Sequence, residues 1–304
     1  MDKLIELGSD VVRLWQNYWP TYLRGVGNTL ILAVVATLIG CIIGLICGVL
    51  NTIPCAPTDS LFKRIVLKVI RVLVRVYVEV FRGTPMVLQA VFIFYGLPYF
   101  TDGAVAFKGM AGIWAAALIV VSINTGAYMA ESVRGGIISI DPGQTEGAKA
   151  IGMTHVQTMV NVIMPQALRN IIPQIGNNFI INIKDTSVMF VIGFVEFFAT
   201  HRNIVGVNLL YFPSAVIEMV GYLTLTLLAS FGLRWLEKWL DGDANYELVS
   251  DDALAMSAGT YSHPDRSSPF DEQSKEFQTA SELKRERRER KLLELRFGRP
   301  KGDR

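Results

Sequence analysis

Between Arg24 and Asp59 the chain runs for 34 residues without one charged side chain. About 20 apolar residues are enough to cross the hydrocarbon core of a bilayer. The stretch 25–50, which ends before Pro54, therefore reads as a membrane-spanning helix. A cleavable leader would have a basic start and a shorter apolar stretch. Here the first 24 residues are mixed and amphipathic, so the run is expected to be a permanent span.

Four further apolar stretches follow, at about 84–101, 110–131, 170–199 and 212–236. The third is interrupted by Lys184, Asp185 and Glu196, and the fourth carries Glu218 near its start. Inside a membrane every backbone N–H and C=O must be satisfied internally, which leaves helices or a closed barrel. Barrel strands alternate at period two, and these runs do not. The expectation is an all-α polytopic membrane protein with five transmembrane helices. Only 18% of residues are charged, against roughly 25% in soluble domains, which excludes a single soluble globular domain.

Orientation follows from Lys and Arg in the short loops. One side collects Lys63, Arg64, Lys68, Arg71, Arg75, Arg82, Arg134, Lys149 and Arg169; the other has Lys3, Arg13, Arg24, Lys108 and Arg202. The N-terminus is thus expected outside and the C-terminus in the cytoplasm. Within 61–82 the cations Arg64, Lys68, Arg71, Arg75 and Arg82 form one helical stripe among Val, Ile and Leu. Charges are costly in a membrane at ~2.5–3.5 kcal/mol each. That stripe predicts an amphipathic helix on the cytoplasmic interface, in contact with membrane lipids, and the runner-up is a span whose stripe faces protein. Residues 1–21 predict a similar interfacial segment outside, with Trp15, Tyr18 and Trp19 at headgroup depth. Gly40, Gly44 and Gly48 form a double GxxxG, which permits close helix packing.

From Asp241 the composition changes. Residues 241–280 hold nine acids and two bases, and residues 281–304 hold ten bases and five acids. Residues 239–304 are expected to form a disordered charged cytoplasmic tail. Cys41, Cys47 and Cys55 make no disulfide framework and no metal-ligand spacing. There is no GxxxxGK[ST], HExxH or GxSxG pattern. The polar inventory lies in and beside the spans instead, including Asn124, Asn177, Asn178, Asn182, Lys184, Asp185, Thr186, Ser187 and Glu196. Intramembrane ionisable groups are by default functional candidates, and they point to solute passage rather than to catalysis.

Four stretches carry a family resemblance. Glu79-Val80-Phe81-Arg82-Gly83-Thr84-Pro85, followed by Gln89, resembles the E-x-F-R-G-T-P signature of permease subunits in ABC importers for polar amino acids. Gln144-Thr145-Glu146-Gly147-Ala148-Lys149-Ala150-Ile151-Gly152, with Met164-Pro165 beyond it, resembles the E-A-A-x-x-x-G…L-P coupling loop of type I importer permeases. Lys184-Asp185-Thr186-Ser187-Val188 is similar to the K-[DN]-[TS]-S-[LV] element of the same group, and Tyr128 to Gly136 also fits it. Gly147 and Met164 replace the usual Ala and Leu. The resemblance covers about 22–238, and the tail has no counterpart in it.

The resemblance implies a type I ABC importer permease fold over 22–238, with a coupling loop at about 140–166. It implies a second permease subunit, identical or paralogous, two ATP-binding subunits that use ATP and Mg, and an extracytoplasmic amino-acid-binding protein. No cofactor is expected on this chain, and it is not expected to be an enzyme itself. Glu146, Gly147, Ala148, Gly152 and Pro165 would serve ATPase coupling. Asp141 is expected to cap the coupling helix, with Pro142 as its first residue and Gly152 at its end. Lys184, Asp185, Thr186, Ser187, Asn124 and Glu196 are the candidate substrate pathway; Lys184 and Asp185 would either contact substrate or hold two helices together. A stand-alone channel or secondary carrier for small polar solutes is the alternative.

Overall fold

The computed structural model describes residues 1–55 and 60–241, with side chains to Trp239. The expected tail lies outside the described residues, apart from its first three. The described chain is helical: α1 (Asp2–Thr52), α2 (Leu61–Gly83), α3 (Met86–Phe100), α4 (Gly109–Ile138), α5 (Pro142–Ala150), α6 (His155–Ile192), α7 (Phe197–Asn208) and α8 (Tyr211–Asp241). Three of these, α1, α4 and α8, are long and apolar enough to cross a membrane, and α6 with α7 forms a fourth candidate bent by 51°.

The glycines of α1 set the central packing. A Cβ on Gly40 would lie 2.7 Å from the Thr125 side chain, and one on Gly48 would lie 2.6 Å from that of Val133; between them Gly44 faces Met129 and Ala130. Both helices advance four residues per contact, so α1 and α4 run in the same direction, backbone against backbone. The double GxxxG thus serves a contact within the chain.

Two parallel helices require the chain to return between them. Ala90 packs with Ala116, Ala117, Val120 and Val121, and Phe94 stacks on Phe107, so α3 runs back along the first half of α4. At 1.5 Å per residue α3 is only about 22 Å long, short of a ~30 Å core. The second half of α2 packs against the other half of α4. Val74 and Val78 are buried against Ala130 with Cys47 beside them, and the Tyr77 hydroxyl donates to the Ile123 carbonyl at 2.6 Å. This helix differs from the expected interfacial one: its C-terminal half belongs to the bundle. Arg71 donates to the Ile53 carbonyl at the end of α1, and Arg82 pairs with Glu131 on α4. Those cations are drawn inward by partners that periodicity alone does not reveal.

The N-terminal segment is continuous with the first span candidate. It is the first part of the unbroken α1, with Pro20 inside the helix. Leu14 and Tyr22 are buried with Phe197, Ile204 and Ile217. That packing carries the helix through a residue that costs roughly 3 kcal/mol in a helix interior. On the other side of the bundle α6 runs opposite to α4: Gly136 meets Ile171, the Asn178 amide reaches the Met129 sulfur at 3.4 Å, and Asn182 bonds Thr125.

Candidate functional site

The site is built from a helix break. Pro85 has no N–H, and its ring excludes the carbonyl four residues back, so α2 cannot continue through it. The released Phe81 carbonyl accepts from Gln89 Nε2 at 2.9 Å and from Asn124 Nδ2 at 3.0 Å. Gln89 Nε2 also reaches the Thr84 carbonyl at 2.9 Å, and its Oε1 accepts from Asn124 at 3.0 Å. The Thr84 hydroxyl donates to the Val80 carbonyl at 2.7 Å. The Val80, Phe81 and Thr84 carbonyls at the break thus find partners, as buried groups must, and the break is stitched to α4.

This fixes Arg82, Gly83, Thr84 and Pro85 on one wall of a cavity of about 470 Å³. Asn124, Thr125 and Tyr128 of α4 and Asn178, Asn182 and Asp185 of α6 form the rest of its polar lining. Arg82 forms an ion pair with Glu131, and its guanidinium lies 5.3 Å from the Tyr128 ring centroid. The cavity therefore presents a cation from α2, an anion from α6 and amide and hydroxyl groups between them. One lining residue ties three helices: Asn182 Nδ2 donates to Thr37 at 2.8 Å and to Thr125 at 3.0 Å, joining α1, α4 and α6 at one level.

Among the residues singled out from sequence, the cavity unites Arg82, Gly83, Thr84, Pro85, Asn124 and Asp185. Glu79 is exposed in a neighbouring crevice. Lys184 is exposed and forms no ion pair with Asp185, since consecutive helical residues diverge by about 100°. Thr186 is buried, its hydroxyl turned back to the Ile183 carbonyl at 3.0 Å, and Ser187 is half-buried off the lining. Glu196 stands apart from the cavity. It caps α7, accepting from the Phe198 and Ala199 N–H groups at 2.8 and 2.7 Å and from the Tyr222 hydroxyl at 2.8 Å. Around it Tyr22, His201 and Ser214 link α1, α7 and α8. The convergence of Tyr22, Thr29, Ser214 and Tyr222 carried no sequence signal. Gln89 and Asn182 did stand among the quoted polar residues, but nothing in the spacing shows which carbonyl or hydroxyl each one meets.

A second candidate element is the short α5. The Asp141 side chain accepts from the Gly143 N–H at 2.7 Å, and Pro142 is the first helical residue. The helix closes with the Met153 N–H on the Ala148 carbonyl at 3.0 Å, and Gly152 adopts φ +84°, a conformation suited to glycine. Glu146 and Gly147 are exposed and Ala148 is buried. Ile151 and Val156 stand 79% and 69% exposed at the tip. Pro165 opens the regular part of α6 just after the wide turn Met159–Ile163, where its missing N–H would otherwise break the helical ladder. Among the described residues no group of three or more His, Cys, Asp or Glu is placed to hold a metal ion.

Residues 60–242 match the binding-protein-dependent transport system inner membrane component family. The chain belongs to that family and is a multi-pass permease subunit of an ABC-type importer in the bacterial inner membrane. The glutamine transport system permease protein GlnP of Escherichia coli K12 is 35% identical over 228 residues, covering 74% of this chain and 96% of its own. The L-cystine transport system permease protein TcyB of Bacillus subtilis is 33% identical over 230 residues, covering 74% and 90%. Among solved structures, an amino acid ABC transporter crystallised with histidines superposes with TM-score 0.63 at 34% identity, covering 73% of this chain and 95% of the other. The MetNI methionine ABC transporter, at 18% identity and TM-score 0.58, shares the fold.

Proposed function

We propose that this permease carries polar amino acids, and that the cavity between the α2–α3 break, α4 and α6 is the point at which substrate meets this subunit. The cavity chemistry carries this reading. An amino acid presents a carboxylate and an ammonium, and Arg82 and Asp185 offer opposite charges in one space of about 470 Å³. Amides of Asn124, Asn178 and Asn182 suit a polar body between them. Relatives named for glutamine and cystine transport fit the same substrate class.

The parallel course of α1 and α4 supports five crossings: α1, then α2 with α3, then α4, then α6, then α8. In this arrangement the N-terminus is outside, and α5 and the tail are cytoplasmic. The transmembrane domain covers 22–238, and the tail from 239 lies almost wholly beyond the family match. ATP and Mg act in two partner subunits. The tip of α5, with Glu146 exposed and Ile151 and Val156 uncovered, is the coupling surface for them; Glu146, Gly147, Ala148, Gly152 and Pro165 shape it. A second permease and an extracytoplasmic binding protein complete the importer, and Glu79, Arg82, Gly83, Thr84 and Pro85 form its signature wall. Among the other pathway candidates, Lys184, Ser187 and Thr186 flank Asp185, and Glu196 serves the outer end of the bundle.

Affinity purification of the tagged chain, in wild type and in Glu146→Arg, followed by mass spectrometry, tests the assembly. An ATPase recovered with wild type and lost in Glu146→Arg is expected. A homo-oligomer without ATPase in either sample would instead favour a stand-alone channel or carrier. For the site, uptake of labelled amino acids by the reconstituted importer should be lost in Asp185→Asn while assembly is kept; unchanged uptake and selectivity would remove Asp185 from the pathway.

A further inference from the structure

Beside the substrate cavity lies a second polar space, of about 420 Å³, lined by Asn51, Arg71, Arg75, Glu79, Glu131 and Arg134. It sits one to two turns further along α4: the first cavity takes residues 124–128 of that helix and the second takes 130–134. At 1.5 Å per residue the offset is about 9 Å, towards the end of α4 that leads into α5. The partition between the two spaces is the Arg82–Glu131 ion pair. Arg82 lines the first space and Glu131 the second. Both side chains are about half exposed, at 38% and 48%, so the pair is not locked in the core.

We propose that the second crevice is the inner vestibule of the pathway and that Glu131 is the latch on its entrance. In the closed arrangement Glu131 occupies the Arg82 guanidinium. A substrate carboxylate entering the first cavity competes with Glu131 for the same donors. When Glu131 recaptures Arg82, the carboxylate is released towards Arg134, Arg75 and Arg71. Three guanidinium groups face two carboxylates in the crevice, and one of those carboxylates is already paired, so the next space is electropositive for an anion leaving Arg82. Arg71 keeps one donor on the Ile53 carbonyl, so Arg134 and Arg75 are the freer acceptors of the charge. This inference rests on assigning the first cavity to substrate, and it adds a positioning residue, Glu131, that acts through Arg82.

The latch predicts a sign that a purely structural pair does not. Glu131→Gln leaves Arg82 unoccupied, so substrate should bind more tightly, by about fivefold for a half-exposed pair worth ~1 kcal/mol, while uptake slows because recapture is lost. Glu131→Asp should restore both. Arg134→Gln should slow uptake and leave affinity unchanged. The test is equilibrium binding of a labelled mixture of the common amino acids to the purified whole importer, paired with uptake in proteoliposomes. Unchanged or weaker binding in Glu131→Gln overturns the latch. If Glu131→Gln fails to assemble, Arg134→Gln decides: slower uptake at unchanged affinity supports the vestibule, and wild-type uptake overturns it. Absence of binding in every complex, wild type included, overturns the substrate assignment itself and the latch with it.

Discussion

Gln89 and Asn124, 35 residues apart, share one carbonyl: both side-chain amides donate to Phe81 O, at 2.9 and 3.0 Å, and they bond each other at 3.0 Å. The two side chains replace the backbone donor that Pro85 lacks. Replacing Gln89 by Leu leaves the Thr84 carbonyl short of a partner and the Asn124 amide half satisfied. The expected cost is about 1–3 kcal/mol, seen as a lower thermal midpoint of the detergent-purified importer. Asn124→Leu should cost a similar amount, and the double variant less than the sum, because the two act as one unit. Strict additivity would show that they do not.

The α1–α4 seam gives a second expectation. Gly44→Val would drive a side chain into the Met129 and Ala130 backbone, at a cost of about 1–3 kcal/mol for overpacking. Gly27→Val, on the same helix with nothing within 4 Å of its Cβ position, should change the thermal midpoint little. Equal effects of the two would remove the seam as the cause.

Glu196→Ala removes the cap of α7 and leaves the Tyr222 hydroxyl without its acceptor. Loss of a cap costs about 0.5–2 kcal/mol. Glu196→Gln keeps an acceptor oxygen and should recover part of it. Thermal melts of both variants, read beside uptake selectivity, check the assignment: altered selectivity with wild-type stability would bring Glu196 back to the pathway.

Gly152→Ala forces a Cβ into φ +84° with open space around it. The strain, about 1–2 kcal/mol, falls on the exposed tip after α5, the proposed coupling surface. Co-purification of the ATPase should drop while the bundle's thermal midpoint stays near wild type. A stable complex with full ATPase recovery would show that the tip tolerates the change.

The long apolar runs, charge-free in the second half of α1 and the first part of α4 and broken by Glu218 in α8, made these helices visible from sequence, because burial in lipid demands near-uniform apolarity. The α5 caps were equally visible, since Asp141, Pro142 and Gly152 act locally. The apolar stretch 84–101 was visible as α3, but the packing of the second half of α2 against α4 was not. The helical stripe of cations on α2 suggested an interface, whereas two of those cations are held by an α1 carbonyl and by Glu131, contacts set only by tertiary packing. The cavity was legible as a set of residue types, Arg82, Asn124 and Asp185 among them, and illegible as a place. Lys184 and Asp185 stand side by side in sequence, yet one faces out and the other lines the cavity. Glu196 looked like a pathway charge because an acid within an apolar run carries no sign that it will close a helix end.

The seam of Gly40, Gly44 and Gly48 has a mechanical consequence. With the glycines of α1 seated directly on Thr125, Met129 and Val133, α1 and α4 are expected to move as a single strut. If α5 is the coupling element proposed above, leverage applied there would be transmitted along that strut. Bending is left to the places where the helical ladder is already interrupted, at Gly83–Pro85 and at Gly193, one of them on the cavity wall and the other eight residues past Asp185.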